Sequence, residues 1–266
     1  MTAPDLSDLT IGYSSLVDRL AAIPTADALG GAEQVVVAQT GSEDDAPVSE
    51  DAAREIARLQ EGGATVVVLR SRGVAKSRNE AIRRATRRYL LFCDDDVTVD
   101  LEGVAAALGH LRSSGASLAL GRAVDESGTL RKSYPDDVAR LTLRNSGKAA
   151  TYEMIADVEQ TRAAGVWFDE RFGAGAALYL GDEYIFIADL LRAGLRADAV
   201  PATVAMHPTE SSGSRWGTGA DIDARSAALS RAVGGWVWLL KPAFALRHLR
   251  TIGVGGAVRF LRPARY

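Results

Sequence analysis

The nine residues Tyr89-Leu-Leu-Phe-Cys93-Asp94-Asp95-Asp96-Val97 constrain this chain more than any other stretch, because five apolar residues run straight into three carboxylates. A short continuous apolar run reads as a central strand buried on both faces, most often within a parallel sheet. Such strands present functional groups at their C-terminal ends, where ligands bind open α/β sheets. Three adjacent carboxylates repel one another and call for a compensating cation. Alternation along an extended chain places Asp94 and Asp96 on one side and Asp95 on the other. The pair Asp94/Asp96 then forms a hard-oxygen site suited to a divalent metal carrying phosphates; the alternative is an acidic solvated turn. Cys93, the chain's single cysteine, reads as a small buried hydrophobe, excludes an internal disulfide and suits a reducing compartment.

The flanking sequence supplies the rest of an α/β pattern. Strands are expected over Leu9–Ser15, Ala32–Gln39, Ala64–Leu69 and Ala116–Leu120, each a short β-rich run closed by small or polar residues. Helices are expected over Leu16–Ala22, from Ser49 as N-cap to Gly62-Gly63, over Gly73–Thr86 and over Leu101–Leu111, from apolar spacing and caps. This β-α-β-α rhythm predicts an α/β fold, a doubly wound and mostly parallel sheet. The second half is less regular. Asp125–Gly128 reads as a turn inside a hairpin closed by Tyr134-Pro135, and Thr151–Ala156 as a strand. Gly181–Ala193 reads as a helix ended by Gly194, Ala199–Met206 as a strand interrupted at Pro201, and Asp221–Val233 as an amphipathic helix. Nothing resembling a linker separates the halves, so one domain over 1–266 is expected.

Composition narrows the partners. At 47% hydrophobic and 24% charged residues, the chain has the balance of a globular domain rather than a disordered one. The N-terminal segment Met1–Asp8 is acidic and polar, unlike a signal peptide, and no apolar run is long enough to span a membrane. A cytoplasmic protein is expected. Seven cations and no acid lie beyond residue 230, while the whole chain carries −3, so the preceding body carries −10. Such a body repels nucleic acid, whereas the basic tail attracts an anionic surface. Trp236, Trp238 and Phe244 in that tail read either as an interfacial surface for the inner face of a membrane or as part of a helix pair packed on the domain.

The segment Ser71-Arg-Gly-Val-Ala-Lys-Ser-Arg-Asn-Glu-Ala-Ile-Arg83, followed by Tyr89–Val97, resembles family 2 glycosyltransferases of the GT-A fold, whose sequences read G-x-x-x-x-R-N-x-G, a helix, then a strand ending in D-x-D. Gly73, Arg78, Asn79, Asp94 and Asp96 match, with Ala81 in place of the usual glycine. Downstream, Trp167-Phe-Asp-Glu-Arg-Phe-Gly173, Gly181-Asp-Glu-Tyr-Ile-Phe186 and Leu190–Gly194 resemble the segment that builds the family's acceptor side, with the acidic pair inverted to Asp182-Glu183. A weaker match is His207–Trp216, where members carry a metal-binding His and a closing loop. The resemblance spans roughly Leu9 to Trp216.

The resemblance implies an inverting, metal-dependent transfer of a sugar from a nucleotide-diphosphate sugar to an acceptor hydroxyl. It divides the chain into a nucleotide-sugar half (about 1–121), an acceptor half (about 122–220) and a helical tail (about 221–266). Asp94, Asp96 and His207 become metal ligands for Mn2+ or Mg2+, with Asp96 the direct one and Asp95 the least suited to coordinate. Ser14, Gln39, Arg78, Asp94 and Asp95 fall where relatives contact the nucleotide. Glu183 and Asp182 are the candidate catalytic bases, Glu183 first, as the second acid of the pair. Trp167, Phe172 and Tyr179 read as stacking platforms for an acceptor sugar or as core. The acceptor stays open between glycan, lipid-linked intermediate and small metabolite. Two other classes compete: a nucleotidyltransferase, whose Gly-rich basic loop Gly12–Ser15 lacks, and a non-catalytic sugar-nucleotide or glycan-binding module, favoured only by the inverted acidic pair and by the lack of an Asp near Gln39.

Overall fold

The computed structural model describes residues 4–44, 46–208 and 218–264. Of the segment His207–Trp216, expected to carry a closing loop, residues 209–216 lie outside the described residues. The first half follows the apolar runs closely. Strands β1 (Leu9–Leu16), β2 (Glu33–Gln39), β3 (Thr65–Leu69) and β4 (Tyr89–Asp94) pair in parallel in the order β3-β2-β1-β4. Helices α1 (Glu50–Glu61) and α2 (Val74–Arg84) make the crossovers. Ser49 caps α1 by accepting the Ala52 N–H at 3.2 Å, one of the orphan donors of a helix start.

Beyond β4 come β5 (Thr98–Val99), α3 (Leu101–Ser114), β6 (Leu118–Val124), β7 (Ala139–Arg140), β8 (Met154–Asp157), α4 (Val158–Ala163), α5 (Asp182–Arg192) and β9 (Ala197–Met206). They extend the sheet to nine strands in the order β3-β2-β1-β4-β8-β6-β9-β5, with β7 on β9. β8 is antiparallel to both its neighbours, while β6 and β9 are again parallel. Helices α6 (Gly219–Val233), α7 (Val237–Arg247) and α8 (Leu249–Leu261) close the chain.

Period-two alternation in β4 sends its side chains into two cores. Tyr89, Leu91 and Cys93 join α1 and α3 on one face of the sheet. Leu90 and Phe92 join α2 and α5 on the other. Phe92 meets Phe168 edge-on at 5.2 Å and Phe186 at 6.0 Å, and the latter two rings stack at 4.2 Å. Burying a ring of this size is worth about 1.5–3 kcal/mol, so this trio fastens the segments that carry Phe168 and Phe186 beneath the end of β4.

Several elements differ from expectation. Leu16–Ala22 is not a helix: β1 runs to Leu16 and gives way to single 3-10 turns at Leu20–Ala22 and Ala26–Leu29, because Pro24 leaves too few residues for a stable helix. Thr151–Glu153 is a 3-10 turn preceding β8. β9 passes through Pro201 without a break, and its pairing with β6 shifts register near there, the kind of irregularity that tolerates a missing donor. The Asp125–Gly128 turn forms, but only one antiparallel bridge, Val124 to Leu130, flanks it.

Candidate functional site

The chain reverses its direction of sheet growth between β1 and β4, and a crevice opens there at the C-terminal ends of the strands, as the topology of open α/β sheets requires. Ser14 sits opposite Asp94 in the pairing register. β4 ends at Asp94, whose carbonyl accepts the Val97 N–H at 3.2 Å, so Asp95 and Asp96 belong to a turn and strand alternation stops at Asp94. The three carboxylates consequently meet three different sets of partners.

Asp95 is buried and accepts the Ser15 hydroxyl at 2.6 Å, with the Arg19 guanidinium 2.5 Å away. Burial raises its pKa, against the pull of Ser15 and Arg19. Asp96 is the exposed one, with Arg19 at 3.7 Å and His207 Nε2 at 3.6 Å. His207 Nδ1 lies 2.7 Å from the Pro208 carbonyl oxygen. A carbonyl can only accept, so Nδ1 carries a proton, and in the neutral imidazole Nε2 is then the lone-pair nitrogen facing Asp96. Tyr152 stacks on the imidazole at 4.7 Å. A carboxylate and an imidazole lone pair on a shared space suit a divalent ion. Among the described residues no three His, Cys, Asp or Glu side chains already converge on one point.

Asp94 faces Arg78 instead. From α2, the buried guanidinium reaches Asp94 Oδ1 at 3.4 Å through Nη2, and bonds Asp182 Oδ2 and approaches Glu183 Oε1 (3.9 Å) through Nη1. Burial works to lower the Arg78 pKa, but Asp182, Asp94 and Glu183 outweigh it and the net shift is upward. Burial also raises the Asp94 pKa, opposed by Arg78. A single cation thus joins the carboxylate ending β4 to the acidic pair opening α5. Neighbouring Asn79 has a different task. Its side chain accepts the Phe168 N–H at 2.8 Å and donates to the Phe168 carbonyl at 3.0 Å, clamping the Trp167–Gly173 segment to α2.

The acidic pair divides its work. Asp182 is buried against Arg78, beneath Gly173, whose φ is +96°; a Cβ there would lie 2.8 Å from Asp182 Cγ. Glu183 points into the crevice, accepting the Thr151 hydroxyl at 2.9 Å. Its pKa is raised to about 8 by burial and then by Asp182, with Arg78 and Thr151 opposing. Adjacent residues on a helix point about 100° apart, and although both border the crevice, Glu183 is the more exposed of the two and Asp182 is held against Arg78. The inverted order of acids therefore still leaves the second acid at the crevice.

Other expected residues fall elsewhere. Gln39 is buried and donates to Ser71 Oγ (2.9 Å) and the Gly73 carbonyl (3.1 Å), holding the turn that opens α2 while bordering the crevice. Trp167 packs at the edge of the core with Arg83 over its ring at 5.1 Å. Phe172 is fully buried. Of the three aromatics, Tyr179 alone lines the crevice, donating to Asp221 of α6. Sequence reasoning passed over Ser15, Arg19 and Thr151, which hold Asp95, Asp96 and Glu183. Arg19 lies in a segment expected as a helix that is not one, and Thr151 in the first three residues of an expected strand that begins only at Met154, so the expected pattern assigns neither side chain to the crevice. The crevice has a volume of about 1480 Å³ and extends from Ser14 to Phe244 and Arg247 of α7.

Residues 26–167 match the family model described as glycosyl transferase family 2. The chain belongs to glycosyl transferase family 2. No curated protein matches it significantly. Solved structures agree on the fold of this family 2 glycosyltransferase. The crystal structure of S. aureus TarS 1–349 is 14% identical, with a TM-score of 0.55 over 96% of this chain and 69% of that one. The same protein in complex with UDP-GlcNAc gives 0.53 over 96% and 70%, at 14% identity. The mannosyltransferase PcManGT from Pyrobaculum calidifontis, in complex with GDP-Man and Mn2+, gives 0.54 over 94% and 77%, also at 14% identity. The family match ends before α5, so Asp182 and Glu183 of the family 2 transferase stand outside it.

Proposed function

We propose that this family 2 glycosyltransferase is an inverting, metal-dependent enzyme that moves a sugar from a nucleotide-diphosphate sugar to an acceptor hydroxyl. The observation carrying the reading is the convergence of Asp94 and Glu183 on one crevice from its two sides, with buried Arg78 between them. Complexes of the neighbours with UDP, UDP-GlcNAc, and GDP-Man with Mn2+ support the donor class and a divalent ion. The whole of 1–266 acts as one unit, its donor half about 1–121 and its acceptor half about 122–220.

Asp96 and His207, joined by Asp94, would hold Mn2+ or Mg2+. Their oxygen and imidazole donors suit Mn2+ better. When bound, such an ion supplies Lewis-acid neutralisation of the departing diphosphate. Ser14, Asp95 and the loop held by Gln39 border the nucleotide, and Arg78 keeps the acidic side charged and fixed. Glu183 takes the proton of the acceptor hydroxyl. The freed oxygen forms a bond to the anomeric carbon from the face opposite the leaving group, and the carbon–oxygen bond to the diphosphate breaks with its electron pair. The basic tail holds the enzyme against an anionic membrane surface on the cytoplasmic side, each cation near such a surface contributing about 1 kcal/mol.

A screen of nucleotide-sugar hydrolysis with and without Mn2+ tests the reading. One donor class should be turned over only with metal. Asp96→Ala should abolish both turnover and metal-dependent nucleotide binding, with an unchanged unfolding midpoint, since Asp96 is exposed. Full calorimetric affinity for nucleotide in that variant would remove the metal assignment.

A further inference from the structure

The crevice is larger than a donor needs, and its far wall differs chemically from its floor. Its volume of about 1480 Å³ exceeds the roughly 300–1,000 Å³ of ordinary small-molecule pockets. Past Glu183 the wall comes from the segment after β7, from α6 and from α7. Leu143, Leu229, Leu240 and Phe244 contribute apolar lining there, and Arg144, Lys148 and Arg247 cationic lining. Among the described residues none of these three cations has a carboxylate within 4.0 Å, in contrast to Arg19 and Arg78 on the donor side. Apolar lining together with cations that have no carboxylate partner among the described residues suits a ligand that is greasy at one end and anionic next to it.

α7 connects this wall to the exterior. Leu240, Phe244 and Arg247, at helical spacing, line the crevice. From the same helix Trp238, Leu239 and Leu246 stand 71%, 49% and 74% exposed. Eight of the twelve exposed large hydrophobics among the described residues lie between Trp236 and Leu261, in the part of the chain that has cations and no acids. That clustering exceeds the scattered exposure usual for a monomer surface, and its charge complements an anionic bilayer. None of these helices is long and apolar enough to cross a membrane.

We infer that the acceptor is a membrane-borne amphiphile, a lipid-linked phosphate or diphosphate carrying a sugar, whose lipid lies along α7 and whose phosphate meets Arg144, Lys148 and Arg247. The phosphate is recognised and does not react; the attacking hydroxyl belongs to the sugar it carries. This rests on the glycosyl-transfer reading and adds the class of acceptor to it.

The test measures binding of three probes to the full chain: decyl phosphate below its micelle concentration, neutral decyl maltoside, and inorganic phosphate. Decyl phosphate should bind at least roughly tenfold more tightly than either of the others. The double variant Arg144→Gln/Arg247→Gln should lose at least roughly tenfold of that affinity. Nucleotide affinity and the unfolding midpoint should stay unchanged, because both side chains are exposed. Equal binding of decyl maltoside would show that no phosphate is read. Equal binding of inorganic phosphate would show that the apolar lining is idle and a free anion is the ligand. Undiminished decyl phosphate affinity in a folded double variant would place the site elsewhere. Each of these overturns the inference, and the wild-type series alone decides should the variant not fold. Nucleotide-sugar binding by the wild type, measured separately, tells a wrong acceptor class from a wrong reaction.

Discussion

Arg78 is the residue on which both halves of the site depend, and its burial determines what mutations around it do. Removing one partner of a buried ion pair leaves an uncompensated charge. Asp182→Asn should therefore cost stability, on the order of 3 kcal/mol, seen as a lower denaturation midpoint. Glu183 bonds Thr151 and stands only at the margin of the pair. Glu183→Gln should leave the midpoint in place and lower kcat about 10²–10⁴-fold with donor affinity retained. An active Glu183→Gln enzyme beside a folded but dead Asp182→Asn enzyme would reverse the assignment. The pH dependence has a definite sign. A base works as the carboxylate, and burial raises the Glu183 pKa to about 8, so kcat/KM should climb with pH and level off above about 8. Thr151 donates to the carboxylate and favours it. Thr151→Val should move that limb to higher pH, and a limb that stays in place would dismiss Thr151 as its orienting partner.

At the scale of elements, the backbone around the acidic pair is as constrained as the side chains. Gly173 holds a left-handed φ of +96° directly over the Asp182 carboxylate. Gly173→Ala combines backbone strain with a 2.8 Å clash and should push Asp182 from Arg78, lowering both midpoint and activity; a variant with wild-type values would show that the loop yields freely. Elements were legible in the sequence where burial on both sides imposes an uninterrupted apolar run, as in β2 and β4, or where a cap and apolar spacing coincide, as in α1. They were illegible where tertiary partners override local pattern. Leu16–Ala22 has helical spacing yet only ends β1 at Leu16 and then turns into a 3-10 turn at Leu20–Ala22, and Pro201 sits inside β9 where the pairing with the neighbouring strand shifts register. The motif residues Arg78, Asp94, Asp182 and Glu183 were legible as a group. Their pairing was not, since nothing in linear order shows that Arg78 reaches 104 residues ahead to Asp182, nor that β4 stops before Asp95.

For the whole molecule, the distribution of charge and exposed rings sets how it meets other surfaces. The tail's cations and outward-facing Trp236 and Trp238 lead us to expect flotation with vesicles containing phosphatidylglycerol at low salt. That binding should weaken as ionic strength rises, because screening shortens the reach of surface charge to about 10 Å at 0.1 M. Absence of binding at low salt would leave the tail as packing alone. Inside the tail, Phe244 stacks on Phe260 at 5.0 Å, Lys241 donates to the Arg262 carbonyl at 2.7 Å, and Ser226 of α6 donates to the Phe260 carbonyl at 2.8 Å. These ties bind the three helices into one piece, and that piece supplies a wall of the crevice. Anyone trimming the chain to obtain a better-behaved sample would cut first at this greasy C-terminal region, as if it were an anchor. Such a cut would open the crevice on one side, so the segment least welcome in a purification is also one that encloses it with a wall of helices.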